Sequence, residues 1–238
     1  PNAYLTATSM FGLQIVDKDG NRLVTGEAGA KWMAGQFGPE NDPGAIYKLD
    51  GASGKVSLFA TLKGGDGDQA APNAGLNAGL NAGLNAGPAL GNITFDPMSR
   101  QLFVSDLETG LIHRLSLDGE DRGAFDHGEV GRAAQELDPI AFDPSRRMDI
   151  AAPSFNSEDP ATWGYADARR RVFGLAVSKS RLYYAVAEGP SIWSVSIGAD
   201  GAFGTDARIE LEPKGTTAAS DITDILFDGA RSEEHTSE

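Results

Sequence analysis

The chain has 238 residues, of which 40% are hydrophobic, and its 34 acidic and 20 basic residues give a formal net charge of −14 at pH 7. This acidity argues against a nucleic-acid partner, because contact with phosphates needs a basic surface. The sequence contains no cysteine, which rules out disulfides and thiolate metal sites. It also has no apolar run long enough to cross a bilayer.

The first 62 residues predict short strands interrupted by a long loop. Residues 11–16 predict a strand that enters an Asp-Gly turn at residues 19–20, after which the chain returns from Leu23. Residues 27–43 predict a long loop. Residues 45–60 predict a hairpin around a second Asp-Gly turn.

Residues 63–90 form a low-complexity segment. The tetrapeptide Asn-Ala-Gly-Leu begins at Asn73, Asn77 and Asn81 and recurs in altered form at Asn85. A period of four residues is far shorter than the unit of any solenoid. We therefore interpret this segment as a flexible loop.

Residues 91–118 contain a unit that later parts of the chain repeat. Three short strands are predicted at residues 93–95, 102–105 and 111–117, and the third shows the two-residue alternation of a half-buried antiparallel strand. The unit closes on another Asp-Gly turn, at residues 118–119.

The second copy of the unit lies 80 residues further along the chain. Residues 182–196 align without gaps to residues 102–116, with identical residues at Leu102/Leu182, Glu108/Glu188, Ile112/Ile192 and Ser116/Ser196. A strand at residues 173–177 precedes this copy and an outer strand within residues 202–211 follows it. A further unit is expected to begin at Asp224. Because Glu108 and Glu188 recur at the same turn, we expect them to have a structural role.

Residues 137–171 match the unit only in part. Ile140 to Pro144 repeats the Ile-x-Phe-Asp-Pro pattern of residues 93–97, but the following residues lack the second and third strands. Residues 143–171 are therefore either an insertion packed over one face or part of a degenerate copy. The sequence leaves both interpretations open.

Repetition of three or four short antiparallel strands about every 40 to 50 residues is typical of β-propellers. One such sheet cannot bury both of its faces, so neighbouring sheets must cover it. The sequence of residues 91–115 resembles that of the six-bladed propellers of the NHL-repeat and gluconolactonase/strictosidine-synthase-like superfamily. The resemblance is carried by Gly-Asn-Ile-Thr-Phe-Asp-Pro, followed by Arg-Gln-Leu-Phe-Val-Ser-Asp and Gly-Leu-Ile-His-Arg-Leu. The resemblance implies an all-β fold, an incomplete propeller with long loop insertions.

The resemblance to the gluconolactonase branch also implies a divalent cation, such as calcium, in a central channel. Calcium needs about six oxygen ligands. The positions that correspond to the channel-facing ligands are Gln14, Asn92, Asp138, Gly174 and Asp224. Of these, Asn92 and Asp224 keep ligands of the expected kind, and no matching glutamate is found.

Four residues in or next to the two long insertions are candidates for ligand recognition. They are Trp32, Trp163, Tyr165 and Arg170. Binding residues concentrate in loops on rigid scaffolds, and exposed aromatic side chains often serve recognition. The alternative, that they cap the sheets as ordinary core, has equal support.

The sequence thus predicts one truncated propeller domain at residues 1–230 with a non-enzymatic binding or scaffold function. We expect an extracytoplasmic bacterial protein, periplasmic or secreted, whose partner is a small molecule or a protein. The alternative function is a metal-dependent, lactonase-like hydrolase, in which a channel cation polarises a carbonyl and activates water. The sequence does not determine the oligomeric state.

The last eight residues, 231–238, read Arg-Ser-Glu-Glu-His-Thr-Ser-Glu. All eight codons of a widely used DNA-sequencing adapter translate to this peptide. We therefore expect this segment to be an artefact and the natural protein to continue past Ala230.

Overall fold

The computed structural model describes residues 1–8, 12–62, 89–214 and 221–228. Within these ranges the fold is all-β, with antiparallel strands in four sheets. The strands are β1 (Ala3–Thr6), β2 (Ile15–Val16), β3 (Arg22–Leu23), β4 (Lys31–Trp32), β5 (Ala45–Leu49), β6 (Val56–Thr61), β7 (Leu90–Asp96), β8 (Gln101–Asp106), β9 (Leu111–Leu115), β10 (Asp121–Asp126), β11 (Val172–Ser178), β12 (Arg181–Val186), β13 (Ser191–Ser196) and β14 (Arg208–Leu211).

Three of the sheets are built from strands that are consecutive or nearly consecutive in the chain. Sheet I has the strand order β1-β5-β6, sheet II is β7-β8-β9-β10, and sheet III is β11-β12-β13-β14. The fourth sheet, β3-β2-β4, is small and is formed by chain inserted between β1 and β5. Two of the predicted Asp-Gly turns close hairpins, and Gly20 and Gly119 both adopt a φ of +85°, a conformation that favours glycine.

Sheets II and III repeat one unit at the level of strand pairing. In sheet II, Leu102 lies opposite Leu115, and in sheet III, Leu182 lies opposite Val195. Both residues of the second pair follow their counterparts in the first pair by 80 positions. The first strand of each sheet also has a register shift at the equivalent place, between Leu90 and Ile93 and between Val172 and Leu175. The two sheets therefore share the same strand pairing, as the alignment predicts, and have a register shift at the same place.

The sheets pack face to face, so that a central strand is buried on both sides. In β8, Leu102 and Val104 join a core with sheet I that includes Ile46, whereas Phe103 joins a core with sheet III that includes Leu182. Alternate residues of a strand point to opposite faces. Each sheet thus covers a neighbour that could not bury both faces alone.

The first strands of the three sheets lie side by side. The Thr6 hydroxyl donates a hydrogen bond to the Gly91 carbonyl at 2.7 Å, which joins β1 to β7. The Ser105 hydroxyl of sheet II donates to the Phe173 carbonyl of β11 at 2.6 Å. On the other side of β11, the Gly174 N–H donates to the Ile222 carbonyl at 3.0 Å. The segment 221–228 therefore lies beside β11, next in line after the first strands of the three sheets.

The two long insertions pack on each other. Residues 12–44, with the small sheet, and residues 146–166 share an apolar core that contains Ile15, Phe37, Ile150 and Phe155. The Ser157 N–H also donates to the Val24 carbonyl at 2.8 Å. We call this unit the insertion layer.

Residues 137–171 contain 3-10 turns at Pro144–Arg146 and Pro160–Thr162 and no named strand. Of the two interpretations left open by the sequence, the structure thus favours an insertion over a degenerate sheet. Among the described residues, no helix combines the length and apolar character needed to cross a membrane.

Candidate functional site

Asn92 and Asp224 lie on opposite sides of β11. The Asn92 side-chain carbonyl accepts a hydrogen bond from the Leu175 N–H at 3.3 Å, at the register shift of β11. A Cβ on Gly174 would lie 3.0 Å from the Asp224 nitrogen, so glycine allows the segment 221–228 to approach closely. Asn92, Gly174 and Asp224 therefore lie on three adjacent segments.

The other two predicted channel positions lie elsewhere. Gln14 belongs to the insertion layer, where its N–H donates to the Gln36 side chain. The strand that lies beside β7 is β1, and its contact residue is Thr6. Asp138 is exposed, and its backbone carbonyl accepts a hydrogen bond from Arg132 Nε at 2.8 Å.

Among the described residues, Asn92 and Asp224 do not belong to a larger group of acidic side chains that could supply the roughly six oxygens that calcium needs. The Asn92 side-chain oxygen already accepts a backbone hydrogen bond, and Asp224 is exposed with its Oδ1 accepting from the Ile225 N–H at 2.9 Å. In the part of the chain that the structure describes, no three His, Cys, Asp or Glu side chains are grouped to hold a metal ion.

Arg170 joins three separate parts of the chain. Only 1% of this residue is exposed. Its guanidinium donates to the Thr109 carbonyl at 2.8 Å, to the Ile140 carbonyl at 2.6 Å and to Asp126 Oδ2 at 3.0 Å. Burial raises the pKa of Asp126, and the positive charge of Arg170 opposes that rise. Arg170 thus fixes the loop of residues 140–143 to one end of sheet II.

The two recurring glutamates each pair with an arginine. Glu108 contacts Arg147 at 2.8 Å, and both side chains are only 2% exposed. Glu188 contacts Arg132 at 3.2 Å, and its side chain is 52% exposed. Both pairs attach the segment after β10 to a sheet turn, which agrees with the structural role expected from their recurrence.

His127 lies in an apolar site at the same end of the sheets. Its Nδ1 lies 3.1 Å from the Tyr184 hydroxyl, and its ring contacts Trp193 with centroids 4.6 Å apart. Burial, reinforced by the positive charges of Arg132 and Arg170, lowers the pKa of His127 to about 3. The imidazole is therefore neutral at physiological pH.

The three aromatic recognition candidates contact the core of the insertion layer. Trp163 is 6% exposed and its Nε1 donates to the Asn156 carbonyl at 3.0 Å. Trp32 packs edge-on against Phe37. Tyr165 is half-buried and packs edge-on against Trp163. These contacts hold the insertion layer together.

A cleft of about 180 Å³ opens where the insertion layer meets sheet II. Its lining comes from two segments and comprises Ile140, Ala141, Phe142, Asp143, Arg146, Ala166, Asp167, Arg169 and Arg170. Asp167 accepts two hydrogen bonds of 2.9 Å from Arg169. This pairing holds the pKa of Asp167 well below its usual range. The exposed Arg146 and Arg169 face the same carboxylate, so the cleft has charges of both signs.

The carboxylates of the cleft are already hydrogen-bonded. Asp143 accepts from the Ser145 N–H and hydroxyl, and these bonds lower its pKa. Sequence reasoning selected Arg170 from the run of arginines at residues 169–171 but missed Arg146 and Asp167. The run of three arginines at residues 169–171 in an acidic chain is the signal that pointed to this region.

Comparison of the chain with models of protein families and with curated protein sequences found no match.

Proposed function

We propose that the chain is a non-enzymatic binding or scaffold protein whose sheets are blades of a six-bladed β-propeller acting outside the cytoplasm. Three observations support the propeller. Sheets II and III repeat one register, the sheets cover each other face to face, and their first strands lie side by side. A radial array of such sheets satisfies all three.

The observation that supports binding over catalysis is the state of the charged groups at the cleft. Asp167 is paired with Arg169, Arg170 with Asp126, and Asp143 is hydrogen-bonded to Ser145. A general base must be able to accept a proton from a substrate, and a carboxylate with a lowered pKa that already accepts several hydrogen bonds is poorly suited to that task. The same groups can present fixed charges to a partner.

The ligand surface that we favour is therefore the cleft, with Arg146 and Arg169 as its exposed contact groups. Their side chains are 51% and 46% exposed. Arg169 adjoins the buried Arg170, and Arg146 follows the loop of residues 140–143 that Arg170 holds, so the backbone at both positions needs little reordering when a partner binds. A small molecule or a peptide segment that carries both charges fits the mixed lining.

The alternative hydrolase requires a metal ion at Asn92 and Asp224. It retains one supporting observation, which is that these residues flank Gly174 on adjacent segments. The two functions predict different behaviour towards calcium, because a bound ion stabilises the folded state.

The experiment that separates them measures thermal unfolding of the chain with calcium and with a chelator, together with hydrolysis of simple lactones. We expect equal melting temperatures in both conditions and no hydrolysis above the buffer rate. Calcium-dependent stabilisation that disappears in Asn92→Ala or Asp224→Ala would contradict the proposal and support the hydrolase. Thr94→Ala, on the same strand, is a control that leaves both candidate ligands in place.

A further inference from the structure

A second pocket, of about 350 Å³, lies at the other end of sheet II. Its lining comes from the turn between β7 and β8 with the start of β8, from the end of β9 with the residue that follows it, from β10, and from the loop after β13. The residues are Ser99, Arg100, Gln101, Arg114, Ser116, Arg122 and Asp200. The cleft described above lies beside Thr109, at the opposite end of β8. We call this second pocket the arginine pocket.

The arginine pocket is positively charged although the chain has a net charge of −14. Three of its seven lining residues are arginines and one is an aspartate, which gives the lining a formal charge of 3 − 1 = +2. Asp200 Oδ1 accepts a hydrogen bond from the Ala202 N–H. Arg122 contacts Glu120, but both side chains are more than half exposed, so this ion pair is weak.

The guanidinium of Arg114 is held in place by neutral groups. It donates to the Arg122 carbonyl at 2.8 Å and to the Asp200 carbonyl at 3.4 Å. Backbone carbonyls fix its position without cancelling its charge. The arginine is therefore already oriented before any anion arrives, which reduces the entropy lost on binding.

Arg100 leaves its guanidinium available to a ligand. It is exposed, and in the part of the chain that the structure describes it has no hydrogen bond or ion pair. Arginine binds phosphate oxygens through paired N–H groups. Ser116 adds a hydroxyl whose oxygen already accepts the Asp118 and Glu120 N–H groups, so its proton can be donated.

Gln101 fixes the backbone at the edge of the arginine pocket. Its Nε2 donates to the Asp200 carbonyl. Arg114 donates to the same carbonyl, so the loop after β13 is held against the turn between β7 and β8. The pocket is therefore shaped before an anion binds.

From these features we propose that the arginine pocket binds a small phosphate monoester. Arg100, Arg114 and Arg122 hold the phosphate, and the Ser116 hydroxyl donates to it. The volume is within the range of small-ligand sites. This proposal goes beyond the function proposed above and does not depend on the sheets forming a closed ring.

The test is calorimetric titration of the full 238-residue chain with glycerol 3-phosphate, methyl phosphate and sodium chloride. We expect saturable binding of both phosphate monoesters and no saturable binding of chloride. Arg100→Ala should weaken binding roughly tenfold, because a hydrogen bond to a charged group is lost. Arg100 is exposed and its side chain makes no hydrogen bond or ion pair among the described residues, so we expect the variant to keep the fold.

The matched control is Arg208→Ala, which removes an exposed arginine of β14 outside the pocket. It should leave the dissociation constant unchanged. No saturable binding, or equal weakening by Arg208→Ala and Arg100→Ala, would overturn the phosphate site. Binding of chloride as tight as that of the phosphate monoesters would also overturn it, because it would show general attraction of anions.

Discussion

Replacement of Arg170 by methionine tests whether the buried guanidinium holds the end of sheet II together. Methionine keeps much of the side-chain volume but removes the hydrogen bonds to the Thr109 and Ile140 carbonyls and the ion pair with Asp126. Because the Asp126 side chain is only 8% exposed, its carboxylate would lose its counter-charge inside the protein. We expect the free energy of unfolding at pH 7 to fall by about 3–5 kcal/mol.

The loss should be smaller in acid. Burial raises the pKa of Asp126 in the folded protein above its ordinary value of 3.8, and removal of Arg170 should raise it further. A group with a raised folded-state pKa stabilises the protein below its unfolded-state pKa, and this contribution is lost as the pH rises through the folded-state pKa. When Asp126 is protonated, only the two hydrogen bonds to carbonyls are lost, at about 1 kcal/mol each.

Urea unfolding followed by tryptophan fluorescence, at pH 7 and at about pH 4, measures both quantities. Arg169→Met is the matched control, because Arg169 is the neighbour of Arg170 in the chain but is exposed and pairs with Asp167 on the surface. It should change stability little. A loss for Arg170→Met below about 1 kcal/mol, or a loss that does not shrink in acid, would refute the structural role of this arginine.

Two further predictions concern the sheets and the buried histidine. Leu102 and Leu182 occupy equivalent, fully buried positions. Replacing either one with alanine should therefore lower the free energy of unfolding by about 2–5 kcal/mol in urea titrations. A large loss at only one of the two positions would contradict their equivalence. His127, with its pKa lowered to about 3, should show no change in its ring proton NMR shifts between neutral and mildly acidic pH, whereas a midpoint near its ordinary value of 6.5 would show that the ring is not buried.

The paired strands of sheets II and III were predictable because their signals are local. Alternating residues and Asp-Gly turns mark each hairpin, and the ungapped alignment carries the register from one sheet to the other. Strand β1 was not predicted as the first strand of sheet I. It has only four residues, and the whole small sheet separates it from β5. The position assigned to Gln14 followed from that omission.

The contacts of the sites were less predictable because they join distant parts of the chain. Arg170 was selected because it lies in a run of three arginines. Its partners Thr109, Asp126 and Ile140 come from separate segments, which the sequence does not bring together. The arginine pocket shows the limit of net charge as a guide. The overall acidity argues against a nucleic-acid partner, whereas three arginines on adjoining turns and strands create a local positive site.

The central claim is that sheets II and III are copies of one structural unit. Cross-strand nuclear Overhauser effects on the labelled chain test it most directly. We predict contacts between the backbone protons of Ser105 and Ile112 and, one repeat later, between those of Ala185 and Ile192. A register that differs by one residue in either sheet would contradict the claim, because it would move every side chain of that strand to the opposite face.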